Sequence, residues 1–385
     1  MDSNAVIKRY VSKDFRNMEG IRKKIVILLL FTLFVSSCIA KKFTIAVIPD
    51  TQGYVYLRHQ KSNLQDKYNY PVNNADFFYN QMAFIADNSV KNGGNFVYAI
   101  HLGDLVDDRS VDAEWKITDK AMSILDNQIP YMVVPGNHDY DKWIYTSDKK
   151  FSHIEGHTFY SSYFGAESKH FKDKTYYLSN FNEGMDTYST FSVEEQDFYV
   201  LGLECEPSDE VLVWAQQQLD KNPMSPTILV THSFLSLEYD SGEPGKIAYV
   251  PGYLRSKLGG NSPKDIFNKL IKNNNQIFLV LCGHAFWGDN GEAARTDVNA
   301  YGNKVYELLS DYQGRQEIIN SSLYPNAYCG DGWMRFLEFD LDKQKIYVKT
   351  YSTELKKYEK DGDSNFSITF DWDWNTRFPS KRSAQ

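Results

Sequence analysis

Five short stretches of this chain join an apolar run to a group able to hold a cation or move a proton. They end in Asp50 and Gln52, in Asp104, in Asn137 and His138, in His232, and in His284. The most informative reads Tyr131-Met132-Val133-Val134-Pro135-Gly136-Asn137-His138-Asp139. Its first half suits a strand buried on both faces of an α/β sheet. Pro135 lacks a donor and Gly136 tolerates a sharp turn, so the strand stops there. The turn presents a carboxamide, an imidazole and a carboxylate at the strand's C-terminal end, where open α/β sheets bind ligands. Taken singly, each stretch is equally a capped turn, a satisfied core histidine or a solvated carboxylate. Together they offer the oxygen and nitrogen ligands that a pair of divalent ions needs, with one Asp bridging.

Positioning these groups requires strands and crossovers. Strands are expected at 43–48, 96–102 and 131–134, with helices at 73–91 and 113–125 between them. That order gives a parallel sheet with right-handed crossovers, so three successive strands deliver Asp50, Asp104 and Asn137-His138 to one edge. Asp50 and Gln52 stand two apart and project to one side of an extended chain. Residues 140–182 are aromatic, polar and irregular, an expected insertion near the mouth of the site. Further strands are expected at 187–191, 198–204, 227–230 and 276–281, with helices at 210–219 and 264–272 and a Gly-rich loop at 242–260. After Phe286 the rhythm changes to strands without helices, at 304–311, 333–340, 345–353 and 366–370. No Pro/Ser-rich linker intervenes, so 41–375 reads as a single domain followed by a tail at 376–385.

The 385 residues carry a formal net charge of −8, and 42% of them are hydrophobic, enough for the core of one large α/β domain. No basic tract follows the leader, which excludes duplex nucleic acid as the main partner. The many Tyr and Phe residues read as core packing and strand faces rather than a stacking surface. Residues 1–40 read as a leader and tether: Arg22-Lys23-Lys24, an apolar run at 25–35, then Ser36-Ser37-Cys38. That run is too short to span a bilayer stably, as in a secretory signal. Val35-Ser36-Ser37-Cys38 resembles a bacterial lipobox, with Cys38 acylated as the mature N-terminus; the rival is plain cleavage after Ala40. Met18 is a more natural start than Met1. The expectation is an exported lipoprotein, periplasmic or at the outer membrane or cell surface. Cys205, Cys282 and Cys329 then remain, an odd number that argues against a disulfide framework. Cys205 and Cys282 lie in strand-like runs as buried thiols.

As a set, the motifs resemble those of the calcineurin-like metallophosphoesterases: Asp-x-His, Gly-Asp, Gly-Asn-His-Asp/Glu, a lone His and Gly-His-x-His. Here they stand as Asp50-Thr51-Gln52, Gly103-Asp104, Gly136-Asn137-His138-Asp139, His232 and Gly283-His284-Ala285-Phe286. Asp311-Tyr312-Gln313 and Gly332-Trp333-Met334-Arg335 are similar to stretches of secreted bacterial members. The resemblance implies a four-layer α/β/β/α sandwich with mixed sheets. It implies that Asp104 bridges two metals, that Asn137, His232 and His284 complete one site, and that Asp50 and Gln52 serve the other. Two histidine positions depart from the pattern, as Gln52 and Phe286. The Asp50 site is therefore expected to be oxygen-rich, short of a ligand, weaker, and biased toward harder ions. By the same resemblance His138 assists the leaving group, Asp107 orients its imidazole, and a hydroxide between the metals attacks. Arg109 is a candidate phosphate contact, with Arg295 and Arg315 looser ones.

The leading expectation is an exported enzyme that hydrolyses phosphate mono- or diesters of small molecules, lipids or glycans. It would use divalent ions such as Mn²⁺, Fe²⁺, Zn²⁺ or Mg²⁺, one held tightly and one less so. The alternative is a non-catalytic or one-metal binding lipoprotein on the same fold.

Overall fold

The computed structural model describes residues 42–379, apart from 62–69, 146–151, 238–246, 253, 256–258, 289 and 320–329. The leader, Cys38 and Cys329 lie outside the described residues. The chain from Lys42 onward forms one compact unit. In order, it begins with β1 (Lys42–Ile48), α1 (Gln52–Val55), α2 (Asn74–Asp87), β2 (Phe96–His101), α3 (Asp112–Ser123) and β3 (Tyr131–Val133). Then come β4 (Lys142–Tyr145), β5 (Ser152–Glu155), α4 (Thr158–Phe164), β6 (Tyr177–Phe181), β7 (Asp186–Val193), β8 (Gln196–Leu203), α5 (Asp209–Leu219) and β9 (Thr227–Thr231). The last third holds α6 (Pro263–Lys269), β10 (Ile277–Cys282), β11 (Glu292–Val298), β12 (Lys304–Ser310), β13 (Trp333–Asp340), β14 (Lys345–Ser352), β15 (Lys357–Tyr358), β16 (Asn365–Thr369) and α7 (Trp374–Arg377).

Two seven-stranded sheets result. One runs β15-β14-β13-β1-β2-β3 with β16 also on β14, the other β11-β12-β10-β9-β8-β7-β6. Both are mixed: β1, β2 and β3 pair in parallel, while β13 joins β1 antiparallel. The side-chain alternation of a strand explains the layering. Phe43, Ile45 and Val47 of β1 pack between the sheets with Phe198 and Val200 of β8 and Ile228 and Val230 of β9. Ala46 and Ile48 face the other way, into a core with Phe78 and Met82 of α2 and Trp115 of α3. On the far side of the second sheet, Leu201 and Leu229 pack with Val211 and Ala215 of α5 and Ile266 of α6. The central strands are therefore apolar on both faces, and the layers are α/β/β/α, the architecture expected.

The difference lies in the edges. Residues 140–182, expected to be irregular, contain the hairpin β4–β5, the helix α4 and the strand β6, which extends the second sheet beside β7. Tyr160 and Phe164, four apart on α4, are both fully buried, which anchors this segment to the core. Glu292–Val298, not expected as a strand, pairs with β12 along its whole length. The C-terminal strands join the same two sheets rather than building a separate domain.

Candidate metal centre

The strand ends do converge. β1, β2 and β3 run in parallel and stop together, releasing Asp50, Asp104 and Asn137 at one edge of the first sheet. β9 and β10, parallel in the second sheet, release His232 and His284 at the facing edge. Crosslinks between the loops fix them: Thr51 N donates to the Asp104 carbonyl at 3.1 Å and Gly283 N to the His232 carbonyl at 2.9 Å. Asp104 and His284 both hold positive φ, 50° and 76°. Such strain in non-glycine residues collects at functional sites.

Ligand atoms meet at the centre. His232 Nε2 lies 3.1 Å from Asn137 Oδ1, 3.3 Å from Asp104 Oδ2 and 4.0 Å from Asp50 Oδ2. Atoms of Asp104, His232 and His284 fall within 4.8 Å of one another. His232 Nδ1 donates to the Leu102 carbonyl at 2.8 Å, which turns Nε2 toward the cluster, as second-sphere contacts of metal-binding imidazoles do. Burial, with His232 alongside, holds His284 down to about 3, so its imidazole is neutral and can ligate. Asp104 is held well below the usual carboxylate range: burial opposes its charge, but His232 and His138 outweigh it. Asp50 Oδ1 and Gln52 Oε1 are buried without a hydrogen-bond partner. Among the described residues no Lys or Arg pairs with Asp50 or Asp104. Buried carboxylates grouped with imidazoles, and with no Lys or Arg among them, are a donor set that fits divalent cations.

Gln52 meets the cluster through its amide nitrogen, which donates to Asp104 Oδ2 at 3.1 Å. A half-turn of the amide presents Oε1 instead. His138 sits beside the ligands, its N donating to Asp104 Oδ1 at 2.9 Å. Its Nδ1 donates to the main-chain carbonyl of Asp107 at 2.7 Å. The Asp107 carboxylate, named above as the orienter, acts on the ring through its charge rather than through that bond. The Trp143 ring of β4 meets the imidazole edge-on, with centroids 5.7 Å apart.

Arg295 pairs with Asp297 and stacks on Tyr249, and Arg315 pairs with Glu292 and Glu359; both serve structural ion pairs. Arg109 flanks Asp107, whose carboxyl is raised by burial while His138 and, less, Arg109 draw it back down. A second acidic group, Glu292 with Asp361 and Asp363, is not a comparable site, because Glu292 is already engaged by Arg335 and Arg315.

Two supports escaped sequence reasoning. His101, at the end of β2, accepts from Gly103 N and hydrogen-bonds Thr51 Oγ1, tying two ligand loops together. It looked like an ordinary strand residue. Asp139 accepts from the backbone N–H groups of Leu105, Val106 and Gly136, so the last residue of the Gly-Asn-His-Asp turn locks the loop that carries Asp104.

Two glycines are required by contact rather than by backbone freedom. A Cβ on Gly136 would lie 2.1 Å from Asp104 Oδ1, and one on Gly283 would lie 2.1 Å from Asp50 Oδ1. Gly136→Ala is expected to cost about 1–3 kcal/mol by overpacking and to displace the Asp104 carboxylate. Thermal melts with metal analysis of the purified variant check this; a variant with unchanged melting and metal content would show that the turn can relax.

A family model for calcineurin-like phosphoesterases matches residues 43–288, which span every strand end described above. An uncharacterised protein of Bacillus subtilis (strain 168), YvnB, is 29% identical over 319 residues. The match covers 80% of this chain but 21% of that relative, so the chain spans about a fifth of its length. Among solved structures, a purple acid phosphatase, PPD1, from yellow lupin seeds matches with a TM-score of 0.49 and 13% identity. That match covers 86% of this chain and 54% of the plant chain. The residues from the first strand to the turn after β10 carry the match, and on that ground the chain belongs to the calcineurin-like phosphoesterase family.

Proposed function

We propose that the protein is a metal-dependent phosphoesterase acting on phosphate mono- or diesters of small molecules, lipids or glycans. The observation that carries this is the placement of His138, oriented at both N and Nδ1, directly beside a cluster of metal-ligand atoms. A site that only stored a cation would not need an imidazole held there.

Asp104, Asn137, His232 and His284 would hold one divalent ion, and Asp50, Gln52 and Asp104 would serve the other. When bound, such ions supply Lewis acidity toward a phosphoryl group and its attacking water. With Nδ1 committed to the Asp107 carbonyl, His138 has Nε2 left to give a proton to the departing oxygen. The charges of Asp104 and Asp107 favour the protonated ring that this requires. Trp143 of β4 borders His138, so it stands on the side of the site where a leaving group would depart. A panel of phosphate mono- and diesters assayed on metal-reconstituted protein, with metal content measured alongside, tests the reading. Turnover of at least one ester that disappears on chelation is expected. Full metal loading with no turnover across the panel would leave the non-catalytic binding lipoprotein in its place.

Export with a lipid anchor belongs to the same proposal and rests on the Arg22-Lys23-Lys24, 25–35 and Ser36-Ser37-Cys38 pattern. Cys38 is expected to be acylated when the gene is expressed in a bacterial host. Protein beginning at Lys41 is expected to fold, since the first strand starts at Lys42. Intact-mass analysis checks both; an unmodified N-terminus at Lys41 in native membranes would remove the anchor.

A further inference from the structure

The ligand count at the Asp50 site ends one short, because Phe286 stands where the family places a second imidazole. The fold supplies a candidate from elsewhere. β12 lies parallel to β10, with Cys282 opposite Leu309. Two residues beyond that pair stand His284 on one strand and Asp311 on the other, so the β12 end reaches the same edge as the other ligand-bearing ends. Asp311 is 1% exposed, and His284, its counterpart on the other strand, donates its backbone N–H to Asp50 Oδ2 at 3.0 Å, so the Asp50 carboxylate stands at these same strand ends.

The surroundings hold it there. Gln313 donates to Asp311 Oδ1 through its backbone N at 3.1 Å and to Oδ2 through its side-chain amide at 3.0 Å. Asp311 N donates to the Gly291 carbonyl at 2.7 Å. Phe286 packs on the turn that follows, where a Cβ on Gly314 would lie 2.8 Å from its ring. Asp311 thus adds a buried acid to an edge where Asp50 Oδ1 and Gln52 Oε1 are already buried without hydrogen-bond partners, a burden that a shared cation would relieve.

We infer that Asp311 is a ligand of the ion held by Asp50 and Asp104, supplying the donor that Phe286 does not. The inference rests on the dinuclear reading above and changes its character. The Asp50 site becomes an all-oxygen set of Asp50, Gln52, Asp104 and Asp311, suited to Mg²⁺ or Mn²⁺. The other site keeps two imidazoles and suits a softer ion such as Zn²⁺ or Fe²⁺. The pair is then unlike in chemistry rather than tight and loose versions of one site. Gln313 is a positioning residue for the new ligand.

The test uses full-length protein stripped with chelator and titrated with Mn²⁺ by equilibrium dialysis and elemental analysis. Wild type is expected to take up two equivalents. Asp311→Asn is expected to weaken one of them at least about tenfold and leave the other unchanged. His284→Ala should weaken the other equivalent instead. Asp311→Cys, loaded with Co²⁺, adds a signature that a structural role would not produce: a near-ultraviolet thiolate-to-cobalt charge-transfer band absent from wild type. Asp311→Asn binding two equivalents as tightly as wild type would overturn the inference. So would Asp311→Cys holding two Co²⁺ without the band. Wild type taking up no divalent ion would instead overturn the metal reading itself, so the two failures are distinguishable.

Discussion

Asp104→Asn is expected to abolish hydrolysis and to strip metal from both positions, whereas His138→Ala keeps the metal and loses rate. The difference follows from geometry. Asp104 Oδ2 faces His232 Nε2 and Gln52, while Oδ1 accepts from His138 N, so one carboxylate reaches both halves of the cluster. Replacing it with a neutral amide removes the shared charge at 2% exposure, where no solvent can substitute. The backbone should survive, because position 104 holds φ 50° and Asn adopts that region more readily than most residues. His138 contributes no ligand atom in this reading. Its loss costs a general acid, about 10²-fold or more in rate. Metal analysis beside kinetics on both variants decides: equal loss of metal, or no loss of rate in either, would mean that the roles are misassigned.

The parts of this site that were legible in the sequence share one property, that the information is local. The strands ending at Ile48, His101, Val133, Thr231 and Cys282 are runs of apolar residues stopped by Pro, Gly or a polar turn. Each carries its ligand within a few residues of its end. The edge strands β11 and β6 of the second sheet were not legible for the opposite reason. β11 reads Glu-Ala-Ala-Arg-Thr-Asp-Val, with burial alternating between half and full exposure over its outer half, and its polarity resembles that of a loop. β6 shows the same alternation. Asp311 was visible as part of a family-like triplet, but its place beside Asp50 depends on β12 pairing with β10, a contact that no local pattern encodes. The Asp107 contact shows a subtler gap. The resemblance pointed to its carboxylate, yet the bond to His138 uses its main-chain carbonyl, and sequence does not distinguish a carboxylate from a carbonyl.

Glu292→Gln is expected to produce the largest loss of stability. Glu292, on β11 of the second sheet, takes Arg335 of β13 in the first sheet as well as Arg315, Tyr312, Thr350 and Ser364. Arg335 is 1% exposed and also donates to the Leu309 and Asp363 carbonyls. Removing the Glu292 charge leaves a buried guanidinium unpaired, which costs about 3–5 kcal/mol. Spread over a chain of this size, that lowers the melting temperature on the order of 5 °C. The effect carries a pH signature. Burial alone would raise the Glu292 carboxyl, but Arg335 and Arg315 outweigh it and pull it down to about 2. A depressed folded-state value means that the contribution is complete above the unfolded carboxyl's ordinary value, roughly 4.3. It is lost as pH falls from there through about 2. Urea melts of wild type and variant should therefore differ by a constant amount from pH 5 to 8 and converge progressively below roughly pH 4. A gap that stays constant down to pH 3 would show that the loss comes from packing rather than from the buried charge.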